Sequence, residues 1–172
     1  MLNRPLILTG FMGAGKSSVG RLLASKLACP FIDLDAEVVA RAGRSINAIF
    51  AEDGEAAFRI LESACLEHTL SRGGVVVATG GGAVIAEANR VLMRASGVVI
   101  NLTASLERIT ERLAGAADRP LYAGDDPVKR VKTLLEGREQ FYGDADIRID
   151  TDGKSVEDVA AEILGYLRGL AA

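Results

Sequence analysis

Two cysteines, one histidine and no tryptophan stand among 172 residues, and each scarcity removes a class of chemistry. Cys29 and Cys65 lie far apart with no C-x-x-C spacing, and His68 alone cannot complete a Cys/His metal set. A disulfide framework and a structural zinc site are therefore excluded, and a reduced, cytoplasmic protein is expected. Aromatic residues amount to 5%, too few for a platform on which single-stranded bases would stack. Basic charge is not in surplus either, since 20 Lys plus Arg face 23 Asp plus Glu. With no bulk field to hold nucleic acid or an anionic bilayer, neither is expected as a partner, and any cationic site must be local. The longest uncharged stretch, 73–86, contains five glycines and is too short to span a bilayer. The opening residues imitate a signal peptide, but Lys16 interrupts the apolar run and no convincing cleavage site follows.

What is present reads as a folded α/β domain. Apolar residues at 49% and charged residues at 25% match globular averages, and the length suits one domain over 1–172. Apolar runs at 5–9, 31–33, 75–78, 98–100 and 147–149 have the look of buried strands. Between them, Val19, Leu22, Leu23 and Leu27 recur at helical spacing, as do Phe58, Leu61 and Cys65, then Leu106, Ile109 and Leu113, and finally Val156, Val159, Ile163 and Leu167. Strands alternating with helices predict a parallel sheet covered on both faces. Two segments break the alternation. Residues 34–62 carry several helical stretches and no strand, the pattern of a substrate cap, and residues 114–127 are rich in Gly, Ala, Asp and Pro, the composition of a mobile lid.

The nineteen glycines cluster around 10–15 and 80–82, which points to binding loops built from backbone. Residues 10–17, GFMGAGKS, match G-x-x-x-x-G-K-[ST] after a strand and before a helix, the context that this phosphate-binding motif requires. Glycines let amides turn toward phosphate, the helix start adds its dipole, Lys16 a charge and Ser17 a hydroxyl suited to Mg²⁺. Asp33 and Asp35 follow the second strand, at the sheet edge where such folds bind ligands. One carboxylate could hold water on Mg²⁺ while the other faces an acceptor hydroxyl, or Asp35 could simply cap the helix that starts at Ala36. Gly80, Gly81 and Gly82 end the third strand and suit either a tight turn or a loop that lets a ligand reach bare amides. Arg59 and Glu62, three apart on a helix, read first as a solvated ion pair, and Cys65 and His68 as packing residues.

Taken in order, these motifs resemble shikimate kinases of the P-loop, nucleoside-monophosphate-kinase-like group. The likeness rests on GFMGAGKSS at 10–18, FIDLD at 31–35, GRSINAIFAEDGEAAFRILE at 43–62, TGGGAV at 79–84, RPL at 119–121 and REQFYGDADIRIDT at 138–151. It implies a three-layer α/β/α fold with a five-stranded parallel sheet in the order 2-3-1-4-5, a substrate-binding segment near 34–62 and a lid near 114–126. It also implies a monomer using ATP and Mg²⁺ to phosphorylate shikimate. The resemblance assigns Gly13, Ala14, Gly15, Lys16, Ser17 and Ser18 to ATP, with Lys16 on the β- and γ-phosphates. Ser17 and Asp33 fall to the metal, Asp35 to the reacting hydroxyl, Arg59 and Arg138 to the substrate carboxylate, and Gly80, Gly81 and Gly82 to the ring hydroxyls. Arg119 becomes the lid arginine and Arg112 the one over adenine, so that Asp35, Lys16 and Arg119 are the expected catalytic residues. The chain departs from the family pattern at Tyr122 and at Gly143-Asp144. A P-loop kinase of another polyol acid such as gluconate, or a nucleotide-binding module without catalysis, stand as the alternatives.

Overall fold

A computed structural model describes residues 3–115 and 126–170. Five parallel strands, β1 (Leu6–Thr9), β2 (Phe31–Asp33), β3 (Val76–Ala78), β4 (Val98–Thr103) and β5 (Ile147–Asp150), form one sheet in the order β2-β3-β1-β4-β5. Register places Leu6 opposite Val76 on one side and Val98 on the other, so β1 is central and its carboxyl end opens at the middle of the sheet. Residues of β1 are all buried, as expected of a strand covered on both faces. Alternation then sorts side chains: Ile7, Val77 and Val99 join one core, and Leu6, Leu8, Val76 and Ile100 the other.

The second core is closed by α1 (Lys16–Leu27) and α8 (Val156–Leu170), which contribute Val19, Leu23, Val159 and Ile163. The first is closed by α2 (Leu34–Ala42), α3 (Ile46–Glu52), α4 (Gly54–Leu70), α5 (Glu87–Ser96), α6 (Leu106–Ala114) and α7 (Pro127–Tyr142), which contribute Val38, Ile49, Leu66, Met93, Ile109 and Val131 among others. The result is the three-layer α/β/α architecture expected, with its strand order. Residues 34–62 indeed hold three helices and no strand, whereas β4 runs three residues beyond the apolar stretch that marks it.

The strands β1, β2 and β3 hand the chain to the site at their carboxyl ends. Gly10 follows β1 with φ +143°, and a β-carbon there would strike the Leu102 carbonyl, so only glycine lets the chain leave the strand in this direction. The opposite edge is entered by short turns, among them 71–74 before β3, where Gly73 has φ +73° and open space around it. The predicted lid lies between α6 and α7, and residues 116–125 of it, including Arg119, Pro120 and Tyr122, lie outside the described residues.

Candidate active site

The loop after β1 turns directly into α1, with Gly15 as its cap at φ 92°. This cap has no side chain to satisfy the first amides of α1, which leaves them for an anion. Lys16 is buried, and its Nζ donates to the carbonyls of Gly10 at 2.7 Å and Phe11 at 3.0 Å, so the ammonium is fixed across the mouth of the loop. Ala14 is buried and donates its amide to Phe11, whereas Ser18 is exposed on the first turn. Arg112, on the last turn of α6, donates from Nη1 to the Gly13 carbonyl at 2.6 Å, which brings a second cation to the same loop.

Between the first turn of α1 and the end of β2, Ser17 Oγ donates to Asp33 Oδ2 at 2.8 Å. Asp33 also caps α2, because its Oδ1 accepts from the amides of Asp35 at 3.1 Å and Ala36 at 3.4 Å. The helix cap is thus Asp33, not Asp35, since α2 starts at Leu34 with no linker after the strand. One carboxylate holds both the helix start and the serine, while Asp35, within the first turn, lies beside the glycine loop. A β-carbon on Gly80 would sit 2.8 Å from Asp35 Oδ1 and 2.7 Å from Glu62 Oε1, which leaves no room for one. Two oxygens of Ser17 and Asp33, hard donors next to a phosphate loop, fit a Mg²⁺ ion.

A cavity of about 570 Å³ opens between α3, α4, α7 and this glycine loop. Asp35, Arg59, Glu62 and Arg138 reach it, along with Gly80, Gly81 and Gly82, and Phe50 and Phe58 stack at 4.7 Å in its apolar wall. Arg59 Nη1 donates to Glu62 at 2.7 Å and Nη2 to Glu55 at 3.2 Å, while its guanidinium carbon lies 5.1 Å from the centre of the Phe58 ring. The Arg138 guanidinium stands 5.6 Å from the Phe11 ring, at the boundary with the phosphate loop. That boundary is close-packed: a β-carbon on Gly81 would lie 3.2 Å from the Met12 amide nitrogen and 3.6 Å from Arg138 Nη1.

Glu62 departs most from expectation. It is 1% exposed, its Oε1 has no hydrogen-bond partner, and burial pushes its carboxyl above the usual range although Arg59 pulls it down. The pair thus joins a buried carboxylate to a half-buried guanidinium at the cavity wall and is not a solvated surface pair. Sequence spacing gave no sign of this, because an i,i+3 pair looks the same on either face of a helix. Tyr142 is unmarked for a different reason, that its partner is distant in sequence: it is 2% exposed and its hydroxyl donates to the Gly81 carbonyl at 2.5 Å. Cys65 is buried and His68 stays at the surface near Arg72, as their reading as packing residues implies. Asp144, at a departure from the family pattern, is the shared ion-pair partner of Arg90 and Arg94.

Comparison with known proteins agrees with this arrangement. The family model described as shikimate kinase matches residues 12–168. The shikimate kinase of Geobacter metallireducens is 55% identical over 166 residues, covering 96% of this chain and 93% of that protein. The structure of shikimate kinase from Acinetobacter baumannii in complex with shikimate superposes with a TM-score of 0.93 at 35% identity, over 96% of this chain and 93% of the other. That of shikimate kinase from Aquifex aeolicus gives a TM-score of 0.82 at 38% identity, over 97% and 98% of the two chains. With strand order, phosphate loop and cavity in agreement, the chain belongs to the shikimate kinase family.

Proposed function

We propose that this protein transfers the γ-phosphate of ATP to the 3-hydroxyl of shikimate, giving ADP and shikimate 3-phosphate, a step toward chorismate and the aromatic amino acids. One observation carries the reading beyond kinship: the phosphate loop abuts, at Met12 and Gly81, a cavity that holds two guanidinium groups and Asp35. An acid with ring hydroxyls fits that set, because guanidinium forks grip a carboxylate and a carboxylate such as Asp35 accepts from a hydroxyl.

Phosphoryl transfer asks the protein mainly for alignment and charge neutralisation. Gly13, Ala14, Gly15 and Ser18 offer the loop and first turn of α1 to the phosphates, and Lys16 faces the β- and γ-positions. Arg59 and Arg138 hold the carboxylate, and the backbone of 80–82 meets the ring. Asp35 accepts the proton of the attacking hydroxyl or orients it. Mg²⁺, when bound, supplies charge that offsets the phosphates, and Ser17 and Asp33 are the residues that would hold it. Arg112, already on the loop, serves the adenine side, and Arg119 is assigned to closure over the transferring group. We read 1–172 as one kinase domain, with 34–62 binding substrate and 114–126 as its lid. We read it as a monomer of the cytoplasm, the compartment with which the two free thiols are consistent; no helix among the described residues is long and apolar enough to cross a membrane.

Coupled measurement of ADP release tests the reading. Release should require both Mg²⁺ and shikimate. Stronger stimulation by gluconate or a nucleoside monophosphate would overturn the substrate, and nucleotide binding without any stimulated release would leave only a nucleotide-binding module.

A further inference from the structure

The glycine loop has three carbonyls to satisfy, and they are not satisfied alike. Gly80 accepts from the Ala83 amide at 3.2 Å and Gly82 from the Ile85 amide at 3.1 Å, both within the loop's own turns. Gly81 accepts from Tyr142, sixty-one residues away, at 2.5 Å. A planar trans peptide points the Gly82 N–H opposite to the Gly81 carbonyl, so anchoring that oxygen also fixes the direction of the next amide. Gly82 is the residue against which the Arg59 guanidinium lies.

Tyr142 also ends α7, four residues after Arg138, which places both side chains on one face of the helix. Arg138 Nη1 would lie 3.6 Å from a β-carbon on Gly81, so the guanidinium and the phenol flank the same loop residue. Burial outweighs the opposing pull of Arg138 and Arg59 and leaves the phenol pushed up to about 12. The hydroxyl therefore stays protonated, and able to donate, throughout the neutral range.

We propose that Tyr142 is a positioning residue for the substrate cavity: its hydroxyl fixes the Gly81–Gly82 peptide and thereby the surface against which Arg59 and Arg138 are set. The proposal rests on the shikimate reading and deepens it. The Tyr142 hydroxyl meets Gly81 and Arg138, both of which line the substrate cavity, so its effect should fall on that substrate.

The test compares Tyr142→Phe with Val131→Ala in the full chain. Phenylalanine keeps the ring and removes the hydroxyl, with its donated bond to Gly81 and its contact with Arg138. Val131, fully buried about three turns earlier on α7, loses packing under the same helix. Tyr142→Phe should raise the KM for shikimate about tenfold, the size of one net hydrogen bond, with kcat and the KM for ATP within about twofold of wild type. Val131→Ala should lower the melting temperature while leaving the KM for shikimate unchanged. A shikimate KM within about twofold of wild type in Tyr142→Phe, or an equal rise in both variants, would overturn the positioning role alone. Recovery of Tyr142→Phe only as unfolded protein would overturn it too, in favour of a purely structural bond. Absence of shikimate-dependent turnover in the wild-type protein would instead overturn the functional reading and this one with it.

Discussion

Gly82 and Arg59 compete for one space: a β-carbon at residue 82 would fall within the guanidinium of Arg59, and the missing side chain is what lets the arginine lie against the loop. The backbone of Gly82 is not in the left-handed region, so alanine would be accepted conformationally and the conflict is with the arginine alone. Because a guanidinium is the far end of a flexible chain, it would move and the fold would survive.

Gly82→Ala should therefore weaken shikimate binding about tenfold or more, the cost of misplacing a charge-assisted fork, with a small change in melting temperature. Titration of both substrates and a thermal scan check this. A large loss of stability with unchanged shikimate affinity would mean that Arg59 does not yield as argued.

Asp35→Asn should keep ATP affinity and lose turnover by about 10²–10⁴-fold, since the amide keeps the shape but cannot accept the hydroxyl proton. Single-turnover rates beside a nucleotide titration decide it. Near-normal turnover would reduce Asp35 to a residue of the first turn of α2.

Asp33→Asn separates the two tasks of that carboxylate. Asparagine can still accept the amides of Asp35 and Ala36, so α2 should remain folded, as circular dichroism would verify. Loss of the charge facing Ser17 should raise the Mg²⁺ concentration for half-maximal rate by about 10–100-fold. An unchanged Mg²⁺ dependence would remove Asp33 from the metal.

Glu62→Gln reads the buried carboxyl directly. Burial raises its folded-state value above the unfolded one, so the native protein holds the proton more tightly between the two. Stability from this group is thus full below the ordinary carboxylate range and is lost as pH rises through the raised value. Glutamine keeps a bond to Arg59 and does not titrate. The melting temperature of Glu62→Gln minus that of wild type should grow as pH rises from about 4 to about 7, around the usual glutamate value. The reverse slope would show that attraction to Arg59 outweighs desolvation.

The phosphate loop was legible because its chemistry is contiguous: eight residues in fixed order, bounded by a strand and a helix, suffice. Strand order came only through resemblance, since apolar runs do not say which neighbours pair. The helices α5 and α7 go unmarked although their apolar residues pack on the first core, Leu92 and Met93 from α5 and, at helical spacing, Val131, Leu134, Leu135 and Phe141 from α7; the charged and polar residues they stand among dilute the pattern. The alternative in which Asp35 caps α2 falls two residues late, because a strand that feeds a helix without a linker makes its last residue, Asp33, the cap. Glu62 and Tyr142 owe their roles to the loop 80–82, which folds over them from another strand, and no local spacing records that.

Among the described residues, those assigned to a substrate stand at the carboxyl edge of the sheet or on the helices beside it, and the turn at 71–74 stands at the other edge. Gly73 there has open space around it, and Ser71 and Arg72 are exposed. That turn is consequently a handle: a peptide tag or surface linkage grafted into it would hold the molecule by its base, with the cleft facing solution.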